Sequence, residues 1–437
     1  MTSAGNRVAI RKRLIDMRWR LWGVWGVVAV LVLGSCGDEP AAASDAWRAT
    51  SQAPLGAREL AVAVTIGDRV LVVGGSDAPP CPPNADCNLP EQPPLTDGAS
   101  FDPATGQWTR IAAAPVPLGG YVDSNTAVVG DAVYVLSHWY VPETDDVQTS
   151  FVAYDSVADD WIVLPNPPAD AGSWLQLTAA GGHLIAYPSS HEATNSGNVT
   201  IPEQAPPDLL YRPADQTWHA LPADPHGPSF DRTMLAVDDR VILLCRDLVE
   251  NPGVDPPLVR MAELNLAGDL LSASWTALPD AAFLWPSEYV SAGGLLLSAQ
   301  PGSTDGGETN NWGRDYPNGG VVDPETGRWS PYPSVPENDP DAWGIGPISV
   351  SAERTVIDGS WAVDAQTLDW TQVPQRAEDA DGNEVPLPTT NHAAALIDTP
   401  DGPFAFVWGG TLWSDPDSST SDYELLDDGW LWQLPTP

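Results

Sequence analysis

The sequence predicts an all-β protein, a β-propeller in which seven four-stranded sheets, or blades, surround a central axis. Three observations lead to this prediction: a tryptophan recurs at the same point of successive segments, short apolar strands lie between these tryptophans, and no segment has convincing helical character. Segments of roughly 40–60 residues with four short strands each are typical of propellers, whose blades bury their faces against their neighbours. A β-sandwich is the alternative, but it does not predict a tryptophan at the same point of every unit.

The repeated motif ends one strand, makes a polar turn and opens the next strand with tryptophan. Its clearest copies are Phe101–Trp108 (FDPATGQW) and Val322–Trp329 (VDPETGRW). Asp-Pro and Thr-Gly supply the turn residues of these copies. Weaker copies end at three further tryptophans. The whole series is Trp47, Trp108, Trp161, Trp218, Trp275, Trp329 and Trp370.

A second series of apolar strands alternates with the tryptophan series and has the same number of members. Further candidate strands, such as Leu60–Ile66, lie upstream of its members, which brings each unit to about four short strands. The members of the second series are Val70–Gly75, Ala132–Ser137, His183–Tyr187, Arg240–Cys245, Gly294–Ser298, Thr355–Asp358 and Phe404–Gly410.

The strand count also predicts how the ring closes. Trp47 opens a strand before the first complete unit, and a last strand covers 429–434. If 429–434 is the third strand of blade seven, Trp47–Ser51 is its fourth, and the two ends of the chain share one blade without an open seam. The alternative makes 430–434 an eighth tryptophan strand and leaves Trp47 surplus.

Two features of these units resemble kelch repeats. Glycine doublets end strands at Gly74-Gly75 and Gly409-Gly410, and the turn motif follows the pattern Tyr/Phe-Asp-Pro-x-Thr-x-x-Trp. The resemblance covers roughly residues 46–435. The doublet is missing from the other five units, which leaves the topology intact but does not favour any characterised kelch protein.

The N-terminus has the features of a bacterial lipoprotein signal. Six basic residues within 7–20 precede the apolar run 21–33, and Leu33-Gly34-Ser35-Cys36 follows. This tetrapeptide resembles a lipobox, in which the cysteine is acylated and becomes the new N-terminus. We therefore expect residues 1–35 to be a signal peptide, 36–45 a lipidated tether and 46–437 the propeller. A retained transmembrane helix is the alternative, although it needs about 17–25 apolar residues.

The charge restricts the partners of the folded part. The formal charge is −40, and removal of residues 1–35 takes away six basic residues and one acidic residue, which makes it −45. Such a charge argues against nucleic acid and anionic lipid surfaces as partners. We expect a monomer in the cell envelope, outside the cytoplasmic membrane, attached to it through the lipid on Cys36. Genome bias and adaptation to high salt are two open explanations of the acidity.

The remaining three cysteines have two predicted roles. Cys81 and Cys87 enclose a proline-rich loop, and outside the cytoplasm they are expected to form a disulfide. A metal pair is the alternative, but no histidine and no second cysteine pair are near. Cys245 lies in an apolar run and is expected to be a buried free thiol.

Residues at the start of each innermost strand are predicted to line the mouth of the central channel. Indole rings suit sugars or apolar groups, and arginine suits carboxylates. They therefore form a candidate ligand site, although packing between blades is the alternative. Long inserts at 76–100, 188–208 and 299–319 are expected on the same face. The candidate ligand residues are Arg58, Tyr121, Trp174, Arg232, Trp285, Glu288, Trp343 and His392.

The sequence has no complete catalytic, metal or cofactor motif. The six histidines are scattered, and the acidic stretches 379–384 and 415–417 do not complete a calcium loop. We therefore expect a non-enzymatic protein that binds a protein or a glycan. An enzyme acting on sugar acids, similar to kelch-type sialic acid mutarotases, is the alternative, because Arg58, Arg232 and Glu288 match the residue types of such a site.

Overall fold

The computed structural model describes residues 45–82, 85, 87, 92–119, 126–141, 146–171, 175–191, 193–195, 198–237, 239–248, 259–266, 271–281, 289–299, 319–334, 336, 349–351, 354–399, 402–415 and 421–434. The chain divides into residues 1–39 and 40–437, and all described residues belong to the second unit. Their regular elements are strands, apart from one turn of 3-10 helix at Ala169–Ala171. Within these ranges no helix has the length and apolar character needed to cross a membrane.

The fold is a seven-bladed β-propeller, which confirms the prediction. Each blade contains four strands in antiparallel order, and consecutive strands pair with each other. Blade one consists of Val62–Ile66, Arg69–Val73, Gly98–Asp102 and Gln107–Arg110. Blade two consists of Thr126–Val129, Ala132–Val141, Asp146–Asp155 and Asp160–Leu164. Blade three consists of Leu175–Ala180, His183–Pro188, Leu209–Arg212 and Thr217–Ala220, with an added hairpin Ala193–Asn195 and Asn198–Thr200.

The remaining blades follow the same order. Blade four consists of Ser229–Val237, Arg240–Asp247, Val259–Asn265 and Trp275–Ala281. Blade five consists of Val290–Ala292, Leu295–Ser298, Gly320–Asp323 and Arg328–Ser330. Blade six consists of Ser349–Ser351, Thr355–Asp358, Trp361–Asp364 and Trp370–Gln372. Blade seven consists of Ala393–Thr399, Gly402–Trp408, Gly429–Gln433 and Trp47–Ala49, with added hairpins Ala377–Glu378 with Glu384–Val385 and Thr411–Trp413 with Tyr423–Leu425.

The hydrophobic core is divided among the interfaces between blades. The buried apolar residues form seven clusters, each built from two neighbouring blades. The second strands are apolar at nearly every position because both of their faces are covered, as at Val70–Val73, where no residue is accessible to solvent. The first strands contact the next blade all around the ring, which places them nearest the axis.

The recurring tryptophan connects neighbouring blades through a hydrogen bond, and this contact is called the tryptophan clamp below. In six of the seven copies the indole N–H donates to a carbonyl just after the outer strand of the preceding blade. Trp329 differs, because its N–H donates to Tyr289 Oη and Gly319 O within its own blade. The six pairs are Trp47 with Pro374, Trp108 with Ser51, Trp161 with Ala112, Trp218 with Pro165, Trp275 with Pro222 and Trp370 with Ser334, at 2.7–3.0 Å.

The N-terminal strand closes the ring as predicted. Trp47–Ala49 is the fourth strand of blade seven and pairs with Gly429–Gln433, with Arg48 opposite Leu431 and Ala49 opposite Trp430. The sequence did not predict that the hairpin at 377–385 adds to the outer edge of this strand, where Trp47 pairs in parallel with Ala377. The hairpin covers an edge that would otherwise be open.

Candidate functional site

The two faces of the propeller differ in the length of their loops. On one face the first and second strands are joined by turns such as 67–68 and 181–182, and the third and fourth strands by turns such as 103–106. On the other face, the connections between second and third strands include long inserts at 74–97, 189–208, 299–319 and 409–428. The long inserts therefore belong to blades one, three, five and seven. This second face, called the insert face below, also contains the starts of the first strands.

Three first strands begin with a backbone irregularity on the insert face. Leu60, Asp231 and Asn391 have positive φ angles of 57°, 48° and 57°. Each follows a residue that is paired to the second strand of its blade or to the segment just beyond that strand. In blade four the irregularity is a register shift between Phe230 and Thr233. A bulge of this kind turns side chains out of the regular alternation of a strand, and bulges are common near functional sites.

The bulge in blade four directs Arg232 into a buried cluster of charges. Its Nη2 donates to both carboxylate oxygens of Asp208, at 2.9 and 2.7 Å, and its Nη1 donates to Asp224 at 3.2 Å and to Ser229 Oγ at 2.7 Å. The Arg232 side chain is fully buried, and those of Asp208 and Asp224 are 5% and 6% exposed. Both acids come from the blade three side, so the cluster joins blades three and four.

Burial shifts the titration of the groups in this cluster. The pKa of Asp208 is raised to about 6 because burial disfavours the carboxylate more than Arg232 stabilises it, and Asp224 adds repulsion. The pKa of His191 is lowered to about 4 by burial and by the charge of Arg232. A neutral ring also agrees with its hydrogen bonds, because His191 Nδ1 accepts from the Ser229 N–H at 3.1 Å.

Arg58 occupies a second, less buried cluster at the junction of blades seven and one. Its Nη1 and Nη2 donate to the two oxygens of Asp97 at 2.6 and 3.2 Å, and its Nε and Nη1 also donate to the carbonyls of Gly56 and Gly74. The guanidinium lies 5.9 Å from the ring centre of Trp408 in blade seven. The hydrogen bond and charge of Arg58 lower the pKa of Asp97, which is 40% exposed.

Glu59 and its partners join the same two blades. Its Oε2 accepts from Asn391 Nδ2 at 2.8 Å and from Thr411 Oγ1 at 2.7 Å. His392 follows Asn391 and is largely buried, and the cost of desolvating its charged form lowers its pKa to about 4. Its Nδ1 has no hydrogen-bond partner among the described residues. These groups pack the seam between blades, and Glu59 Oε2 is already engaged by two side chains of the chain itself.

The structure therefore describes three of the eight candidate ligand residues. Arg58 and His392 lie together at the junction of blades seven and one, and Arg232 lies apart from them between blades three and four. Both arginines are engaged by carboxylates. Tyr121, Trp174, Trp285, Glu288 and Trp343 lie outside the described residues, as does Cys36.

The three cysteines among the described residues agree with their predictions. Cys81 and Cys87 form a disulfide within the insert of blade one. Cys245 is free and buried, and burial raises the pKa of its thiol to about 12, which keeps it unreactive. The acidic stretch 379–384 is the turn of the added hairpin, where Asp379 Oδ1 accepts backbone N–H groups of Asp381 and Asn383. No group of residues suited to a metal ion occurs in the described ranges.

The acids that neutralise the two arginines were not among the predicted site residues. Asp97 and Asp208 occupy the same position, immediately before the third strand of their blades. Asp428 has this position in blade seven, where burial and the nearby Asp427 and Glu424 raise its pKa. An aspartate before the third strand was therefore a usable signal. The roles of Asp224 and His191 left no pattern in the sequence, because they depend on contacts between blades.

Comparison with known proteins supports the fold and leaves the function open. The kelch motif matches residues 57–114, which span blade one. No curated protein matches the chain. A solved structure titled "Structure of YjhT" is 12% identical, with the match covering 86% of this chain and 99% of that chain and a TM-score of 0.41. We draw no functional argument from that likeness. The protein is thus a seven-bladed β-propeller that contains a kelch motif.

Proposed function

We propose that this protein is a lipid-anchored, non-enzymatic binding protein of the cell envelope, whose insert face binds a protein or a glycan. One observation carries the binding proposal. The inserts of blades three and seven contain hairpins on the same face, and the side chains of Ile201, directly after one hairpin, and Tyr423, in the other, are 40% and 45% exposed. Exposed apolar side chains on ordered loops above a rigid scaffold are typical of recognition surfaces.

Described residues of the inserts of blades one and seven make contacts within the chain. The disulfide closes the insert of blade one, and the ring of Trp413 in the insert of blade seven is 4% exposed and contacts Tyr423 at 5.7 Å between ring centres. Trp413 Nε1 also donates to Thr390 Oγ1 at 3.0 Å. A loop that is ordered before binding loses less conformational entropy when it binds.

The location outside the cytoplasm rests on the N-terminal sequence. The basic stretch, the apolar run 21–33 and Cys36 after Leu-Gly-Ser support a lipid anchor. The disulfide agrees with an oxidising compartment.

The alternative, an enzyme acting on sugar acids, finds little support among the described residues. It would need Arg58 and Arg232 for the substrate carboxylate, and both guanidinium groups already have carboxylate partners. A substrate would have to displace a bidentate partner from each arginine, which costs several hydrogen bonds.

Binding can be tested with the full-length Cys36→Ser variant, which we expect in the soluble fraction instead of the membrane fraction. This variant is immobilised and exposed to solubilised envelope extract and to a glycan array, and the same is done after adding Tyr423→Ala with Ile201→Ser. We expect a specific ligand that is lost with the two insert substitutions. Val157→Ser, which changes an exposed apolar residue on the opposite face, is the matched control and should bind normally.

Three results would contradict this proposal. Membrane association that survives Cys36→Ser would show that the N-terminal segment is retained as a helix. Empty captures from both the extract and the array would refute the binding function. A ligand lost in Val157→Ser but kept in the insert variant would move the site to the opposite face.

A further inference from the structure

Exposed apolar residues outside the insert face are concentrated on the outer edge of blade two. Val157 is 79% exposed, Ile162 is 47% exposed and Val163 is 61% exposed. Val157 lies in the turn before the outer strand Asp160–Leu164, and the other two lie in the strand itself. Among the described residues, the other large apolar side chains with such exposure are Ile201 and Tyr423 on the inserts.

The backbone of this outer strand is open on one side. Asp160–Leu164 pairs with Asp146–Asp155 and is the last strand of its sheet. On the inner side, Phe151 N–H points toward the outer strand and donates to Asn166 Oδ1 at 2.9 Å. Backbone groups of antiparallel strands alternate in direction. The backbone N–H and C=O of Ile162 and Leu164 therefore point toward the sheet, and those of Trp161 and Val163 point away from it.

Val163 offers both of its outward backbone groups to another strand, whereas one outward group of Trp161 is engaged. Trp161 N–H is accepted by Asp160 Oδ1 at 2.9 Å. The N–H and C=O of Val163 point away from the sheet, with the apolar side chains of Ile162 and Val163 on either side of the strand. A row of such groups is a template for an added strand, and added strands are a common mode of peptide recognition.

The outer strands of five of the other six blades carry protective features that blade two lacks. Blade one has Arg110 at the position of Val163, and the outer strand of blade four contains Pro279. The outer strands of blades five and six are only three residues long. The outer strand of blade seven is covered by the hairpin at 377–385. Charge, proline, short length and coverage are the ways in which proteins prevent pairing at sheet edges.

The charges around this edge specify the partner. The turn that precedes the outer strand is acidic. The nearby base is Arg69 of blade one, which lies close enough to Tyr154 for its charge to act on it. Arg69 is already paired with Asp68, at 3.8 Å. A second copy of this strongly acidic chain would be repelled. A segment with basic residues would be attracted. The acids of the turn and its surroundings are Asp131, Asp155, Asp159 and Asp160.

We propose that the outer edge of blade two binds an extended segment of another protein, with aliphatic and basic residues in alternation, as a fifth strand. Val163 supplies the outward hydrogen bonds, Ile162 and Val163 contact the aliphatic side chains, and the acidic turn attracts the basic ones. This site is separate from the insert face, and its proposal does not depend on the ligand proposed there.

The test uses labelled eight-residue peptides and the full-length protein at low ionic strength, with binding followed by fluorescence anisotropy. The probe is Val-Lys repeated four times, and the comparison peptides are Val-Glu and Gly-Lys repeats of equal length. We expect saturable binding of the Val-Lys peptide alone. Val163→Arg introduces the side chain type found in blade one and should weaken binding at least tenfold. Ala220→Arg makes the same charge change on the outer strand of blade three and should leave binding within twofold.

Several outcomes would overturn the proposal. If the Val-Lys peptide shows no saturable binding, or if the Val-Glu peptide binds equally well, a partner segment with basic residues is ruled out. Equal weakening by Val163→Arg and Ala220→Arg would show general charge attraction in place of a strand site. A dimer in light scattering that dissociates in Val163→Arg would place a second copy of this chain on the edge.

Discussion

Arg58 and Arg232 each donate to both carboxylate oxygens of an aspartate, yet the pKa values of the two aspartates shift in opposite directions. Asp97 is 40% exposed, so its desolvation is modest and Arg58 lowers its pKa. Asp208 is almost fully buried and shares Arg232 with Asp224, so burial raises its pKa. The degree of burial therefore decides the direction, and the identity of the partner does not.

The position of Arg232 also indicates what the residue does. A buried guanidinium between two buried carboxylates cannot be removed without leaving unpaired charges in a region of low dielectric constant. It connects the first strand of blade four to the blade three side through Asp208 and Asp224. This contact connects two neighbouring blades. The ligand-binding role of Arg232 that was expected from the sequence stays a prediction.

The buried histidine His392 makes stability depend on pH. Its folded pKa of about 4 lies below the usual histidine pKa of 6.5, so the unfolded chain binds the proton first and stability is lost as the pH falls from 6.5 through 4. We expect His392→Gln to remove this dependence. Between pH 7 and pH 4.5, wild type should lose about 2–3 kcal/mol more unfolding free energy than the variant, as measured by urea titration.

His191 and Asp208 also change the unfolding free energy in this pH range, and the comparison between wild type and variant separates their effects from that of His392. His191 acts in the same direction as His392, whereas Asp208 acts in the opposite direction because its raised pKa makes the folded state bind a proton below about 6. Both are present in wild type and in the variant, so they cancel in the difference. His219→Gln, on the outer strand of blade three, is the matched control. If the unfolding free energy depends on pH equally in wild type and in His392→Gln, the lowered pKa is not the source of the effect.

At the scale of strands, the tryptophan clamp explains why the repeat is visible in the sequence. Each clamp needs an indole N–H at the start of one outer strand and a carbonyl just beyond the preceding outer strand. The chain repeats this geometry from blade to blade, so the same residue is used. Trp329 departs from the rule and bonds within its own blade, yet it keeps the position in the motif.

The clamp predicts a measurable cost for losing one N–H. Trp161→Phe keeps an aromatic ring in the interface of blades one and two but removes the donor to Ala112 O, at 2.8 Å. We expect a loss of about 1–2 kcal/mol of unfolding free energy, because the buried carbonyl loses its partner. Trp361→Phe, in the third strand of blade six and outside the clamp series, is the control for the change in ring size. An equal loss in both variants would show that ring volume, and not the hydrogen bond, sets the cost.

At the scale of the whole molecule, closure depends on a strand from the other end of the chain. Trp47 is fully buried, lies 5.9 Å from Trp432 between ring centres in a tilted arrangement and donates its indole N–H to Pro374 O. The strand therefore contacts blade six as well as its own blade. The three residues Trp47–Ala49 join residues more than three hundred positions apart.

Removing the anchor of this strand should destabilise the ring. We expect Trp47→Ala to lower the unfolding free energy by about 3–5 kcal/mol, because a large buried ring leaves a cavity. The released strand should also be cleaved early by proteases. Arg48→Ala changes the exposed neighbour in the same strand and should have little effect. Wild-type stability and protease resistance in Trp47→Ala would mean that the ring closes without this strand.

The sequence alone determined the number of blades, the order of their strands, the closing strand and the pairing of Cys81 with Cys87. These features follow from local patterns, because turn residues, apolar runs and the clamp tryptophan act within one unit or between successive units. Counting the units then determines the closure, since a ring with seven outer strands needs the N-terminal one.

Only the tertiary structure decided which polar residues are engaged and which are accessible. Arg58, Arg232 and His392 look alike in the sequence as residues at the starts of inner strands, but the structure pairs the arginines with acids and buries the histidine. The structure also showed that the outer edge of blade two is unprotected. Burial and partnership depend on which blades pack together, and distances such as that between Glu59 and Thr411 are not encoded in any local pattern.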